Sequence, residues 1–152
     1  MSQFNSDQFA YLANVPITET RPDEYSGRKR VLYAKYTTDA STGLLASDVV
    51  VIGKLPAGAR VTSCEVVVPA SFLTSSVKIG YGTLSGTTYT AVDDDRWAVA
   101  LDLSAVGRKQ GLIVAADMDY RTTAEVAVAM TIVTTTSGTS KQMAFLIEYV
   151  VD

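Results

Sequence analysis

A chain of 152 residues that is 47% apolar and 19% charged can bury one core without covalent staples, which excludes a disordered segment and a disulfide-dense miniature fold. A net charge of −3 offers no broad basic face for counterion release, so nucleic acid is not an expected partner. Histidine is absent, which removes Ser-His-Asp and Cys-His nucleophile systems, the commonest general base and the usual zinc sites; neither an enzyme nor a cofactor is expected.

The chain opens with no basic region leading into an apolar one, and no window approaches the roughly 18 to 20 apolar residues of a membrane span. It is expected to be soluble, made in the cytosol and free of membrane. Residues 1–30 are polar with isolated aromatics, then carry both charge signs with Pro22 and Gly27. One reading is a disordered leader. The other is an extended arm that orders on a neighbour, with Phe4, Phe9, Tyr11 and Leu12 as anchors, because scattered aromatics serve little purpose in a purely solvated tail. The second is carried forward as an arm over 1–30 and a domain over 31–152. Arg28-Lys29-Arg30 is too short a basic run for more than a solvated junction.

From Val31 onward the texture is all-β. Stretches rich in Val, Ile, Thr and Tyr predict strands at Val31–Tyr36, Asp48–Leu55, Arg60–Val68, Val77–Gly82, Thr87–Ala91, Trp97–Leu103, Leu112–Ala116, Ala124–Thr134 and Gln142–Val151. Turn chemistry separates them at Ser41-Thr42-Gly43, Leu55-Pro56-Ala57-Gly58, Leu84-Ser85-Gly86, Val106-Gly107 and Ser137-Gly138. Short strands so punctuated point to an antiparallel sandwich or barrel. Leu55-Pro56-Ala57-Gly58 reads as a hairpin corner, with proline at the second position and glycine at the fourth, carrying Val49, Val51 and their neighbours into Cys64, Val66 and Val68. Lys54 and Arg60 bracket it. A helix near Leu101–Gly107 or Asp117–Arg121 has room for a turn or two.

Period-two alternation assigns faces. Val77, Ile79 and Tyr81 oppose Lys78, Gly80 and Gly82. Trp97, Val99, Leu101 and Leu103 share one side, with Trp97 as a core anchor. Val126, Val128, Met130 and Ile132 form an inner row, leaving Ala127, Ala129, Thr131 and Val133 on a smooth outer one. In the last strand Met143, Phe145, Ile147, Tyr149 and Val151 point one way, while Leu146 and Val150 point the other. Strands apolar on both faces belong inside a layered fold or at an oligomer interface. The second is preferred, with Ala127, Ala129, Thr131, Val133, Leu146 and Val150 as interface residues.

Few groups are candidates for chemistry. Cys64 sits in an apolar run and reads as a small core residue. Asp93-Asp94-Asp95 supplies oxygen ligands for a hard cation, but without EF-hand spacing, so a solvated turn is the simpler reading. Asp117 and Asp119 lie on one side of a short loop with Arg121 available as a partner, and spacing does not show two carboxylates facing across a sugar. Gly80-Tyr81-Gly82 matches no phosphate loop. Thr134–Ser140 reads as a polar hairpin tip linking the last two strands.

The order of a valine-rich strand ending in Gly53-Lys54-Leu55-Pro56-Ala57-Gly58-Ala59-Arg60-Val61, a strand at Cys64–Val68, then Val77–Gly82, Asp93–Asp95 and a final strand ending Glu148-Tyr149-Val150 resembles small virion structural proteins of tailed bacteriophages. Capsid decoration (cement) and head-fibre-type proteins are the nearest type. The resemblance spans about residues 45–152 and implies an antiparallel β-sandwich, jelly-roll-like, with an extended N-terminal arm. It also implies a symmetric homo-oligomer, trimer favoured over dimer, made in the host cytoplasm and bound to the major capsid protein on the capsid surface. Two other classes stay open: a tail or fibre module binding host glycan through Tyr89, Trp97 and Asp93–Asp95, and a carboxylate hydrolase using Asp94 or Asp117.

Overall fold

Period-two alternation becomes eight strands in the computed structural model, which describes residues 29–38, 43–68, 76–111, 113, 117, 119–134 and 139–151. In chain order they are β1 (Lys29–Thr37), β2 (Val49–Leu55), β3 (Ala59–Val68), β4 (Ser76–Ser85), β5 (Thr88–Asp102), β6 (Gly107–Gln110), β7 (Val126–Ile132) and β8 (Gln142–Val151). They form two four-stranded sheets, β1-β8-β3-β6 and β2-β7-β4-β5, and all their ladders are antiparallel. Every consecutive pair except β4–β5 changes sheet. Eight strands wound in this order make a jelly roll, a sandwich closed by long-range pairs such as β1 with β8.

The inner faces supply one core. Val50, Ile52 and Leu55 of β2, Val61, Cys64, Val66 and Val68 of β3, and Val128, Met130 and Ile132 of β7 meet Met143, Phe145 and Ile147 of β8 there. Each such side chain contributes about 1.5–3 kcal/mol by leaving water. The inner rows expected for β4, β7 and β8 are those observed, because these strands alternate without interruption over their cores.

β5 is different. Its 15 residues pair with a ten-residue β4, and the excess is taken up in three bulges, with the register stepping from Leu101 to Ala98, Asp93 and Ala91 along β4. A bulge reverses which parity faces inward. Trp97 and Ala98 are therefore both buried, while Val99 is 56% exposed rather than inward with Leu101. The two strands expected at Thr87–Ala91 and Trp97–Leu103 are one. The one hairpin here is β4–β5, closed by Gly86-Thr87 with Gly86 at φ +60°, as a two-residue turn with glycine first requires.

The corner at Leu55–Gly58 is not a hairpin. β2 and β3 lie in opposite sheets, so it folds the chain from one layer to the other. The turn runs Pro56 to Ala59, with the Ala59 N–H donating to the Pro56 carbonyl at 3.3 Å and Gly58 at φ +78°. Glycine thus takes the third position, which needs positive φ, and proline the first. Val49 and Val51 point outward, 43% and 41% exposed, while Val50 and Ile52 carry the core. β7 and β8 likewise lie in opposite sheets, so the segment between them is a crossover rather than a hairpin tip. Gly107, expected in a turn, begins β6, and Ile113 belongs to no strand; the rest of the strand expected at Leu112–Ala116 falls outside the described residues. A single turn at Asp117–Tyr120, bonded Tyr120 N–H to Asp117 carbonyl at 3.1 Å, is the helical remnant expected near Asp117–Arg121.

Candidate functional site

Among the described residues, a cluster of charged side chains grows from the widest bulge of β5. Four residues of β5 separate Asp93 from Ala98, opposite only Gly80 between Tyr81 and Ile79. The excess backbone lies over Gly80, where a Cβ would collide with the Asp93 carbonyl oxygen. Asp93–Asp95 is therefore part of a strand and not a solvated turn. Lys78 reaches both Asp94 and Asp95 at 3.4 Å, and Asp94 above all holds its ammonium proton more tightly than usual. Arg96 meets Asp93 at 3.4 Å and Asp117 at 2.7 Å. Its guanidinium lies 4.2 Å from the Tyr120 ring centroid; Tyr120 stacks on Tyr81 at 5.2 Å, and Tyr81 meets Trp97 at 5.9 Å. Burial, then the hydrogen bond with Tyr81, pushes the Tyr120 phenol well above its ordinary range. Burial, then a hydrogen bond with Asp95, raises Asp93.

This constellation is a latch. It ties the 117–122 loop to β5 through a cation–π contact and the Arg96–Asp117 ion pair, and each aspartate of the triplet has a basic partner. Asp117 and Asp119 diverge: Asp117 is buried against Arg96, whereas Asp119 is 97% exposed at its side chain and sits 3.7 Å from Arg60. Among the described residues no three His, Cys, Asp or Glu side chains are grouped to hold a metal ion. Trp97, at 1% exposure, presents no ring on which a sugar could stack, which removes the centre of the glycan reading. Cys64 is fully buried, and burial pushes its thiol up to about 12, so it is an inert core residue.

A second residue of the 117–122 loop has no sequence signal. Thr122, 2% exposed, clamps the β2–β3 corner. Its Oγ1 donates to the Pro56 carbonyl at 2.6 Å and accepts from the Ala59 N–H at 2.9 Å. Its backbone bonds the Gly58 N–H and the Ala59 carbonyl.

A surface cleft of about 470 Å³ opens between Arg60–Ser63 of β3, Gln110 and Gly111, Ile113 and Asp119. Asp119 is the one carboxylate among its described lining residues, so the cleft has no facing acid pair.

The remaining surfaces are the outer faces of the two sheets. On β2-β7-β4-β5, Val49 pairs with Thr131 and Val51 with Ala129; Val49, Val51 and Val133 are exposed. Ala127 and Ala129, expected to be open to a partner, are 2% and 1% exposed in the single chain, and Val150 is 6% exposed. None of the three belongs to the core cluster, so they are covered on the outer side by this chain itself and have little area left to give. Thr131 and Leu146 are half-buried. On β1-β8-β3-β6, Val31 and Tyr33 are each 55% exposed, across from Glu148 and Leu146. The arm anchors Phe4, Phe9, Tyr11 and Leu12 lie outside the described residues.

The fold thus defines an eight-stranded jelly roll, an architecture that viral capsid and lectin domains share. No protein-family model and no curated protein matches the chain. Three solved structures contain chains of similar fold. One is the capsid of Ralstonia phage GP4, with TM-score 0.68 and 16% identity over 83% of this chain and 86% of that one. Another is the cyanophage Pam1 capsid asymmetric unit, with TM-score 0.63 and 14% identity over 100% of both chains. The third is the acidic stable capsid of Helicobacter pylori bacteriophage KHP30, with TM-score 0.56 and 16% identity over 81% and 87%.

Proposed function

We propose that this chain is a structural protein of a phage virion, a decoration or cement protein that binds the outer capsid surface as a symmetric oligomer. The observation that carries the reading is the jelly roll held in common, nearly end to end, with chains from three phage capsid structures. The charge arrangement supports it, since the clustered carboxylates are spent on ion pairs that join β4 to β5 and the 117–122 loop to β5. The partner is the major capsid protein. Binding the assembled lattice and not its disassembled subunits stabilises the lattice by linkage, and repetition over symmetric sites multiplies modest contacts.

In this reading three copies associate through the exposed valines Val49, Val51 and Val133 with Thr131. Residues 1–30 reach the shell, with Phe4, Phe9, Tyr11 and Leu12 as anchors. The test is co-sedimentation of purified protein with particles assembled without it, beside light scattering of the free protein. Saturable binding, a trimer mass and a rise in particle melting temperature are expected, and deletion of residues 2–25 should abolish binding while leaving the far-ultraviolet spectrum intact. Protein that stays in the supernatant at all concentrations would end the proposal.

A further inference from the structure

The outer face of the β1-β8-β3-β6 sheet joins two unlike surfaces. The first is an apolar pair, Tyr33 across from Leu146, in a row that continues through Glu65 to Gln110. The acids on this face are already answered, Glu65 by Arg108 at 3.1 Å and Glu148 by Lys29 at 3.1 Å. The second surface begins where the row ends, because Gln110 and Ser63 also line the 470 Å³ cleft beside Arg60.

Arg60 is incompletely held. In register with Val150, its side chain is 18% exposed, and its Nε is buried with no hydrogen-bond partner among the described residues. Its Nη1 is 3.7 Å from Asp119, beyond hydrogen-bond reach, and that carboxylate is almost wholly in water. A desolvated guanidinium so placed is complementary to a carboxylate, which it can take through two parallel hydrogen bonds. Rows on this face repeat about every 6.6–6.8 Å, the spacing of alternate side chains in an extended chain.

We infer that this face receives an extended segment of the shell protein that alternates apolar side chains with a carboxylate. The carboxylate enters the cleft at Arg60, and the apolar groups lie on Tyr33 and Leu146. The inference rests on the capsid-binding reading and names the surface and the chemistry of that partner. Charge selects the occupant: a segment without an acid would cover the guanidinium and leave it only the Asp119 carboxylate at 3.7 Å.

The experiment titrates full-length protein, Arg60→Gln, Arg60→Lys and Tyr33→Asp onto particles assembled without it, with circular dichroism and light scattering on each free variant. Arg60→Gln should bind about tenfold more weakly or worse and lose part of the salt dependence. Arg60→Lys should recover much of the loss, and Tyr33→Asp, at an exposed site that tolerates the change in fold, should weaken binding comparably. Wild-type binding with unchanged affinity in Arg60→Gln and Tyr33→Asp would overturn the inference and leave the capsid reading standing. A changed oligomer mass in these variants would assign the face to a second copy and overturn it too. Wild type that fails to bind brings down both.

Discussion

Single residues carry more of this fold than their types advertise. Thr122 is one of many threonines in the sequence, yet its hydroxyl and backbone satisfy four groups of the corner that joins the two sheets. Replacing it with valine keeps the shape and leaves the Pro56 carbonyl and the buried Ala59 N–H only their 3.3 Å bond to each other, a cost of about 1–3 kcal/mol. Urea unfolding of Thr122→Val should show this as a lower midpoint with an unchanged slope. Cys64 makes a pH prediction. Its thiol titrates at its usual 9.0 in the unfolded chain and at about 12 when folded. The stability it contributes is therefore complete below pH 9 and lost as pH climbs toward 12, on the order of 4 kcal/mol at about 1.4 kcal/mol per pH unit. Tyr120, likewise raised, adds a loss of the same sign above its ordinary phenol range. Denaturation between pH 8 and 11 should show a falling midpoint, and Cys64→Ala should flatten it.

At the scale of the element, β5 is where pattern and structure part. Gly80 is the position that admits the Asp93–Asp95 bulge, since a side chain there meets backbone. Gly80→Ala should displace the bulge, loosen the Arg96–Asp117 latch and cost about 1–3 kcal/mol as an overpacked site. Amide exchange should quicken at residues 117–122 in that variant; exchange confined to its wild-type rate would show that the latch does not depend on the bulge. This geometry explains what could be read in advance. Alternation placed the inner rows of β4, β7 and β8 because the extra residues of the bulges they meet sit on the neighbouring strands, β5, β2 and β3. It misassigned Val99 because a bulge leaves no fixed mark in residue type while reversing every face beyond it. The aspartates were visible as a run, but Lys78, 16 residues from Asp94, reaches them only through strand pairing, and Asp117, 21 residues from Arg96, meets that guanidinium only through the packing of the 117–122 loop. The Leu55–Gly58 turn was legible as a turn, and its local chemistry says nothing about which sheet the next strand joins.

For the molecule as a whole, the sheet order makes the last strand structurally central. β8 lies between β1 and β3 and supplies Met143, Phe145 and Ile147 to the core. A chain ending at Lys141 should therefore fail to fold altogether, with no cooperative melting transition, rather than lose one edge. A cooperative transition in that truncation would contradict the strand order. Pairing of elements more than 100 residues apart also places refolding in the slow, millisecond-to-second regime of all-β topologies.

The register of β1 against β8 has a practical corollary. Lys29 pairs with Val150 and Thr37 with Gln142, so the start of β1 and the end of β8 lie at the same pole of the sandwich. The β5–β6 connection, Leu103 to Val106, leaves from the opposite one, beyond Asp102 and the Gly107–Val68 pair. Nine residues of strand separate the poles, about 30 Å. A foreign peptide grafted between Ser104 and Val106 would stand that far from Lys29, which makes this loop the natural insertion point for displaying an epitope.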